Sequence, residues 1–113
     1  MFIEGKFVEL NKYITSLNSS RYRGNNVKQE MTNLVYWQAV GKPKFKTPAV
    51  FKFVWFVKDR RKDPDGIAFA KKYVLDGLQK AGIITGDGFR EVKGFIDEFI
   101  VSDKEGVEVV AVY

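Results

Sequence analysis

The sequence of 113 residues contains no cysteine and no histidine. Without cysteine the chain can form no disulfide, no thiolate zinc site and no cysteine nucleophile. Without histidine it can form no Ser-His-Asp triad and no imidazole general base, and it lacks the ligands of nearly every common zinc site. An enzyme built from this sequence must therefore rely on carboxylates, lysines and a bound cation.

Long hydrophobic runs are also missing. No apolar run reaches the roughly 20 residues that a membrane-spanning helix needs. The first residues, 1–6, lack the basic and then apolar order of a signal peptide. We therefore expect a cytoplasmic protein. Hydrophobic residues make up 45% of the chain and charged residues 29%, which is typical of one globular domain spanning residues 1–113.

Charge is divided unevenly along the chain. Residues 1–62 carry a net charge of +9 and residues 63–113 a net charge of −4, which gives the overall +5. A basic half and an acidic half are expected when one surface binds a polyanion and another binds a divalent metal ion. The alternative is that these are solvated charges segregated by chance.

The hydrophobic pattern predicts an α/β (α+β) fold with the element order βαβαββ and a mixed four-stranded sheet packed with two helices. The predicted elements are strands over residues 2–10, 49–57, 91–102 and 106–113 and helices over about 26–40 and 67–81. Residues 11–26 are expected to form a long polar loop, and residues 42–48 a basic linker. The last two strands are predicted to pair as a hairpin, and the strand 49–57 is predicted to be central and covered on both faces.

Two carboxylates flank a proline where the central strand gives way to the second helix. Pro64 favours an extended conformation for Asp63, so that Asp63 and Asp65 can point to the same side, as residues i and i+2 do on a strand. A hard cation such as Mg²⁺ would relieve their mutual repulsion. The alternative is that Asp65 caps the helix and Asp63 is a turn residue.

A third carboxylate and a lysine complete the candidate set. Asp87 lies in a glycine-flanked turn, where it is free to approach a metal ion or is simply a turn aspartate. Lys72 follows Asp65 by seven residues, which is two helical turns, and could reach a phosphate held at the same site. Alternatively, Lys72 is solvated or forms an i,i+4 ion pair with Asp76.

The segment from Lys62 to Asp87 resembles the core of the RusA family of Holliday junction resolvases. The shared pattern is a pair of aspartates usually followed by Asn, then a lysine, an Asp-small-Leu, a glycine that ends the helix and a last aspartate. Residues 10–13 and 21–25 are similar to the N-terminal loop of its phage and Gram-positive relatives. The resemblance touches most of the chain and is densest over residues 59–90.

The resemblance implies that Asp63, Asp65 and Asp87 bind the metal ion. The family's catalytically important lysine falls on Lys72, four residues before an aspartate, although Lys71 stays open because the spacer after the aspartate pair varies. The departure is Gly66, where the family usually has an Asn that could orient a carboxylate or cap the helix.

The function implied by the resemblance is metal-dependent cleavage of four-way DNA junctions in recombination and repair. The cofactor would be Mg²⁺, with Mn²⁺ as the alternative. A homodimer would present two active sites to two opposed strands, in a bacterial or phage-encoded protein that acts at the nucleoid. A nuclease for other branched or flap DNA is a close alternative.

Seven basic side chains are candidates for contact with the DNA backbone. They are Arg21, Arg23, Lys28, Lys58, Arg60, Arg61 and Lys62. Tyr13 and Tyr22 either stack on opened bases or anchor their loop.

Two other functions compete with a nuclease. The first is a non-catalytic nucleic-acid binding module, suggested by the aromatic strand 51–57, although core packing explains those aromatic residues better. The second is an inactive phage-derived relative in which the change at Gly66 accompanies lost activity.

Overall fold

The fold is a four-stranded mixed sheet with helices packed on one face. The computed structural model describes residues 1–7 and 10–113, without the side chains of residues 10–14. The strands are β1 (Phe2–Glu4), β2 (Ala49–Val57), β3 (Val92–Val101) and β4 (Gly106–Val112), and the helices are α1 (Leu10–Ser19), α2 (Arg21–Ala39), α3 (Pro64–Ala68) and α4 (Lys71–Lys80). No helix in these residues is long and apolar enough to cross a membrane.

The strand order is β1-β4-β2-β3, with β2 parallel to β3 and antiparallel to β4. The predicted mixed sheet is confirmed, but the predicted hairpin is wrong, because β2 lies between the last two strands. The connection after β3 crosses the end of β2, where the Ser102 amide donates to the Val57 carbonyl at 2.8 Å. The residues 103–106 also lack the two-residue Asn-Gly or Asp-Gly turn that favours a tight hairpin.

β2 has the predicted bounds and the predicted central position. Its burial alternates, with Phe51, Phe53 and Trp55 buried against the helices and the intervening residues half-buried on the other face. Among the described residues no helix side chain joins the core from that second face, so the prediction of cover on both faces is wrong. Core packing of the aromatic side chains is confirmed.

The N-terminal third is more helical than predicted. The first strand is shorter than the predicted 2–10, and residues 8 and 9 of that prediction lie outside the described residues. The predicted loop over 11–26 is wrong, because α1 and the start of α2 occupy it. Ser20 begins α2, and its hydroxyl accepts a hydrogen bond from the Arg23 amide at 3.0 Å. Gly24 lets α1 approach closely, since any Cβ there would clash with Leu17; such tertiary packing is invisible to periodicity.

The predicted second helix is two helices, α3 and α4, with a break at Phe69 and Ala70. The Ala70 amide donates to the Ile67 carbonyl at 3.1 Å and the Lys72 amide to the Phe69 carbonyl at 3.2 Å. Both bonds span three residues, as in a 3₁₀-helix, and they interrupt the α-helical pattern at this point. Gly82, with a φ of 75°, ends α4 as predicted.

Gly77 lies in α4 at a close contact with α2. A Cβ on Gly77 would lie 2.5 Å from Val35 Cβ and 2.9 Å from the Thr32 carbonyl oxygen. We predict that Gly77→Ala lowers the free energy of unfolding by about 1–2 kcal/mol, because overpacking outweighs the helix propensity of alanine. Denaturant unfolding measures the change.

Gly66→Ala is the matched control. Gly66 also lies in a helix, but a Cβ there would meet nothing within 4 Å. We expect this change to raise the free energy of unfolding by about 0.5–1 kcal/mol. Equal effects of the two substitutions would contradict a close helix contact at Gly77.

Candidate functional site

The paired aspartates lie at the start of α3. Asp63 is extended, with φ −73° and ψ 140°, as predicted from Pro64, and it precedes the first turn. Asp65 lies within that turn, and its Oδ1 accepts a hydrogen bond from the Gly66 amide at 2.9 Å. The N-cap residue of α3 is Asp63, whose side chain makes no cap hydrogen bond, so the alternative in which Asp65 is the N-cap is wrong. The strand-like i and i+2 arrangement is also wrong, because Asp65 is helical.

Lys72 lies between two carboxylates. Its Nζ is 3.1 Å from Asp76 Oδ1 and 3.4 Å from Asp87 Oδ2. The hydrogen bond with Asp76 raises the pKa of Lys72, burial lowers it in part, and the charges of Asp76 and Asp87 raise it further. Lys72 therefore remains a cation at neutral pH. The pair with Asp76 was one of the predicted alternatives, and the contact with Asp87 joins two of the candidate site residues.

Asp87 lies in a predicted turn, and the side chain of Glu91 packs against that turn. A Cβ on Gly86 would lie 2.6 Å from Glu91 Oε1, so the Glu91 carboxylate closes over the turn. The other oxygen of that carboxylate, Oε2, is buried and has no hydrogen-bond partner among the described residues. Glu91 is an acidic neighbour of the Asp87 turn that the sequence analysis missed, because its position depends on the fold of the loop.

Lys71 points to a different partner from Lys72. Its Nζ is 2.7 Å from Asp97 Oδ2, and the other Asp97 oxygen accepts a hydrogen bond from Trp55 Nε1 at 2.9 Å. The Lys71 side chain is 18% exposed, and its Nζ lies 4.6 Å from the centre of the Phe95 ring. Lys71 thus ties α4 to the sheet, which leaves Lys72 as the candidate functional lysine.

The structure brings together some of the predicted site residues. Lys72 and Asp87 are in contact, whereas no hydrogen bond or ion pair within the described part of the chain joins Asp63 or Asp65 to them. No group of three acidic side chains among the residues described is arranged to hold a metal ion. The chemistry of the donors still fits Mg²⁺, because Asp63 and Asp65 offer exposed, hard carboxylate oxygens.

The candidate DNA-binding residues form two groups. Arg21, Arg23 and Lys28 are exposed on α2, and Lys58, Arg60, Arg61 and Lys62 lie in the loop between β2 and α3, directly before Asp63. Lys58 is 3.7 Å from Glu105 and Arg61 is 3.9 Å from Asp59; both cationic side chains are largely exposed, so these pairs are weak.

The structure describes the side chain of only one of the two candidate tyrosines. Tyr22 is 74% exposed on α2, so packing does not anchor it, and its stacking on a base stays a prediction. The side chain of Tyr13 lies outside the described residues.

No protein-family model, curated protein or solved structure matches this chain.

Proposed function

We propose that this protein is a metal-dependent endodeoxyribonuclease that cuts four-way DNA junctions, as a member of the RusA type. The observation that best supports the proposal is the contact of Lys72 with Asp87, because the resemblance to the RusA family implies that both residues belong to one active site. The exposed Asp63 and Asp65 and the basic loop before them supply the remaining groups that phosphodiester cleavage needs.

The proposed roles follow from side-chain chemistry. Asp63, Asp65 and Asp87 would hold Mg²⁺, or Mn²⁺, which when bound supplies an activated water and charge for the phosphate oxygens. Lys72 places a fixed positive charge beside Asp87, where charge develops on the phosphate in the transition state. Asp76, 3.1 Å from that amine, orients it. Asp76 therefore acts as a positioning residue.

The proposal extends to partners and location. Two opposed strands of a junction need two cuts, and a homodimer with twofold symmetry supplies two equivalent sites. Such an enzyme would act in the cytoplasm, on DNA of the bacterial nucleoid or of a phage.

Backbone contact by the basic loop has a measurable consequence. We expect the double variant Arg60→Ala and Arg61→Ala to weaken junction binding and to reduce the slope of log K against log salt by about 2, since each lost phosphate contact contributes about 0.9. Fluorescence anisotropy with a labelled junction at several salt concentrations measures both effects.

The matched control for this variant is Lys42→Ala with Lys44→Ala, which removes the same charge from the linker before β2. We expect this control to change the salt slope by less than half as much. Equal slopes for the two double variants would mean that binding follows net charge and that the basic loop makes no specific contact.

The binding-module alternative loses its main support in the structure. The side chains of Phe51 and Phe53 are fully buried and that of Trp55 is 1% exposed, so this strand has no aromatic face on which bases can stack. The inactive-relative alternative depends on Gly66, where a Cβ would meet nothing within 4 Å. The Cβ of the Asn that is usual in the family would therefore meet no clash at this position.

Cleavage separates these functions. The purified protein is incubated with a labelled four-way junction or a matched linear duplex, each with Mg²⁺ or with EDTA. The proposal predicts that the junction is cut in the presence of Mg²⁺ and not in the presence of EDTA. If the wild type did not cleave the junction but the Gly66→Asn variant did, the protein would be an inactive relative. Metal-independent binding without products from either protein would contradict the proposal.

A further inference from the structure

The outer edge of β3 is the longest unpaired edge of the sheet. β3 has ten residues and pairs with β2 on one side, and no other described strand pairs with it. The opposite edge of the sheet, β1, has three residues. A short edge strand is a common protection against pairing with another chain, and β3 does not have it.

The side chains of this edge are unusually apolar. Five of them are 38–48% exposed and lie on both faces of the strand: Phe95, Ile96, Phe99, Ile100 and Val101. β3 contains no proline, and its pairing with β2 is regular from Gly94 to Val101. Single-chain proteins rarely leave a long, regular and apolar edge uncovered.

The carboxylates on β3 already have partners within the protomer. Asp97 binds Lys71 and Trp55, and Glu98 Oε1 is 3.2 Å from Lys52 Nζ. Nucleic acid is a poor occupant for this edge, because two carboxylates lie at its middle and their cations are engaged. A second copy meets no unpaired carboxylate here, because each copy neutralises Asp97 and Glu98 itself, and the exposed Lys93 lies before the regular stretch from Gly94 to Val101.

We infer that β3 pairs antiparallel with β3 of a second copy, which joins the two sheets into one of eight strands. A twofold axis normal to the sheet satisfies both unpaired backbone edges at once and covers the exposed apolar side chains of both copies. The same symmetry places α4 of both copies on one face of the joined sheet. The inference identifies an interface for the proposed homodimer, and it is argued from the edge strand β3 and not from nuclease activity.

Sedimentation without DNA tests the pairing. Phe99→Lys puts a charge on the β3 edge, and Val110→Lys puts one on β4, on the open face of the sheet; the two native side chains are 38% and 40% exposed. We expect wild type to dimerise and Phe99→Lys to raise the dimer Kd at least about 30-fold, as loss of a hot-spot side chain does. Val110→Lys should change the Kd less than about 3-fold, well below that hot-spot threshold.

A monomeric wild type would overturn the inference, and so would equal loss of dimer in both variants, which indicates packing through the open face. Hydrogen exchange on the wild-type protein gives a second test that does not depend on whether Phe99→Lys folds. Alternate amides of residues 94–101 should gain protection as protein concentration rises. A dimer without that protection would also overturn the inference. Because these measurements contain no DNA or metal, their outcome is independent of nuclease activity.

Discussion

Asp65→Asn will reduce junction cleavage by about 1,000-fold or more and leave junction binding intact. The substitution keeps the side chain's size but removes a charged oxygen ligand, and a bound metal ion contributes several kcal/mol to stabilising the transition state. Binding should stay equal or become slightly tighter at low salt, because one negative charge is lost near the DNA. Single-turnover cleavage and anisotropy with the same labelled junction measure the two effects.

Asp103→Asn is the matched control, because it removes the same charge from an exposed turn that the proposal does not use. We expect normal cleavage from this variant. Mn²⁺ binding, measured by electron paramagnetic resonance, gives a readout besides activity and should weaken in Asp65→Asn alone. If Asp65→Asn lost binding and cleavage together and also melted at lower temperature, the role of Asp65 would be structural.

The adjacent lysines are predicted to give opposite phenotypes. Lys72→Met should lower cleavage by about 100-fold, as expected for loss of one electrostatic contact in the transition state. Its effect on the free energy of unfolding should stay below about 1 kcal/mol, because the Lys72 side chain is 54% exposed. Cleavage kinetics and denaturant unfolding of the same preparations test the prediction.

Lys71→Met should lower the free energy of unfolding by about 1–3 kcal/mol, because it leaves the largely buried Asp97 without its cation. Cleavage per folded molecule should stay within a few-fold of wild type. The reverse pattern, with Lys71→Met inactive and stable, would transfer the functional role to Lys71 and contradict the site described above.

The strands were the part of the fold most readily predicted from the sequence. Residues 49–57 carry a dense apolar and β-branched run, and β2 has the predicted bounds. Pairing could not be predicted as well, because nothing local shows that β2 separates β3 from β4. The polar segment 11–26 was misjudged for two reasons. Leu10, Tyr13, Ile14 and Leu17 recur at helical spacing, so the sequence does carry the signal for α1, and the polar composition around them hid it. The start of α2 has little hydrophobic period and depends on Ser20 as its cap.

The site was predictable in its residue types more than in its geometry. The spacing of Lys72 and Asp76 placed an ion pair on α4, and the structure has it. The sequence spacing did not predict the break at Phe69 and Ala70, which lies between Asp65 and Lys72. The ion pair of Lys71 could not be predicted from the sequence, because Asp97 lies 26 residues further along the chain and only the folding of the sheet brings the two side chains into contact.

The positions of the nicks test the central claim most directly. Wild-type protein is mixed with Mg²⁺ and a four-way junction in which each of the four strands is labelled in turn, and the products are sized at nucleotide resolution. The proposal predicts paired nicks at symmetric positions in two opposed strands, and none in a linear duplex of the same sequence. Equal nicking of all strands and of the duplex, or no nicking while the junction stays bound, would contradict it.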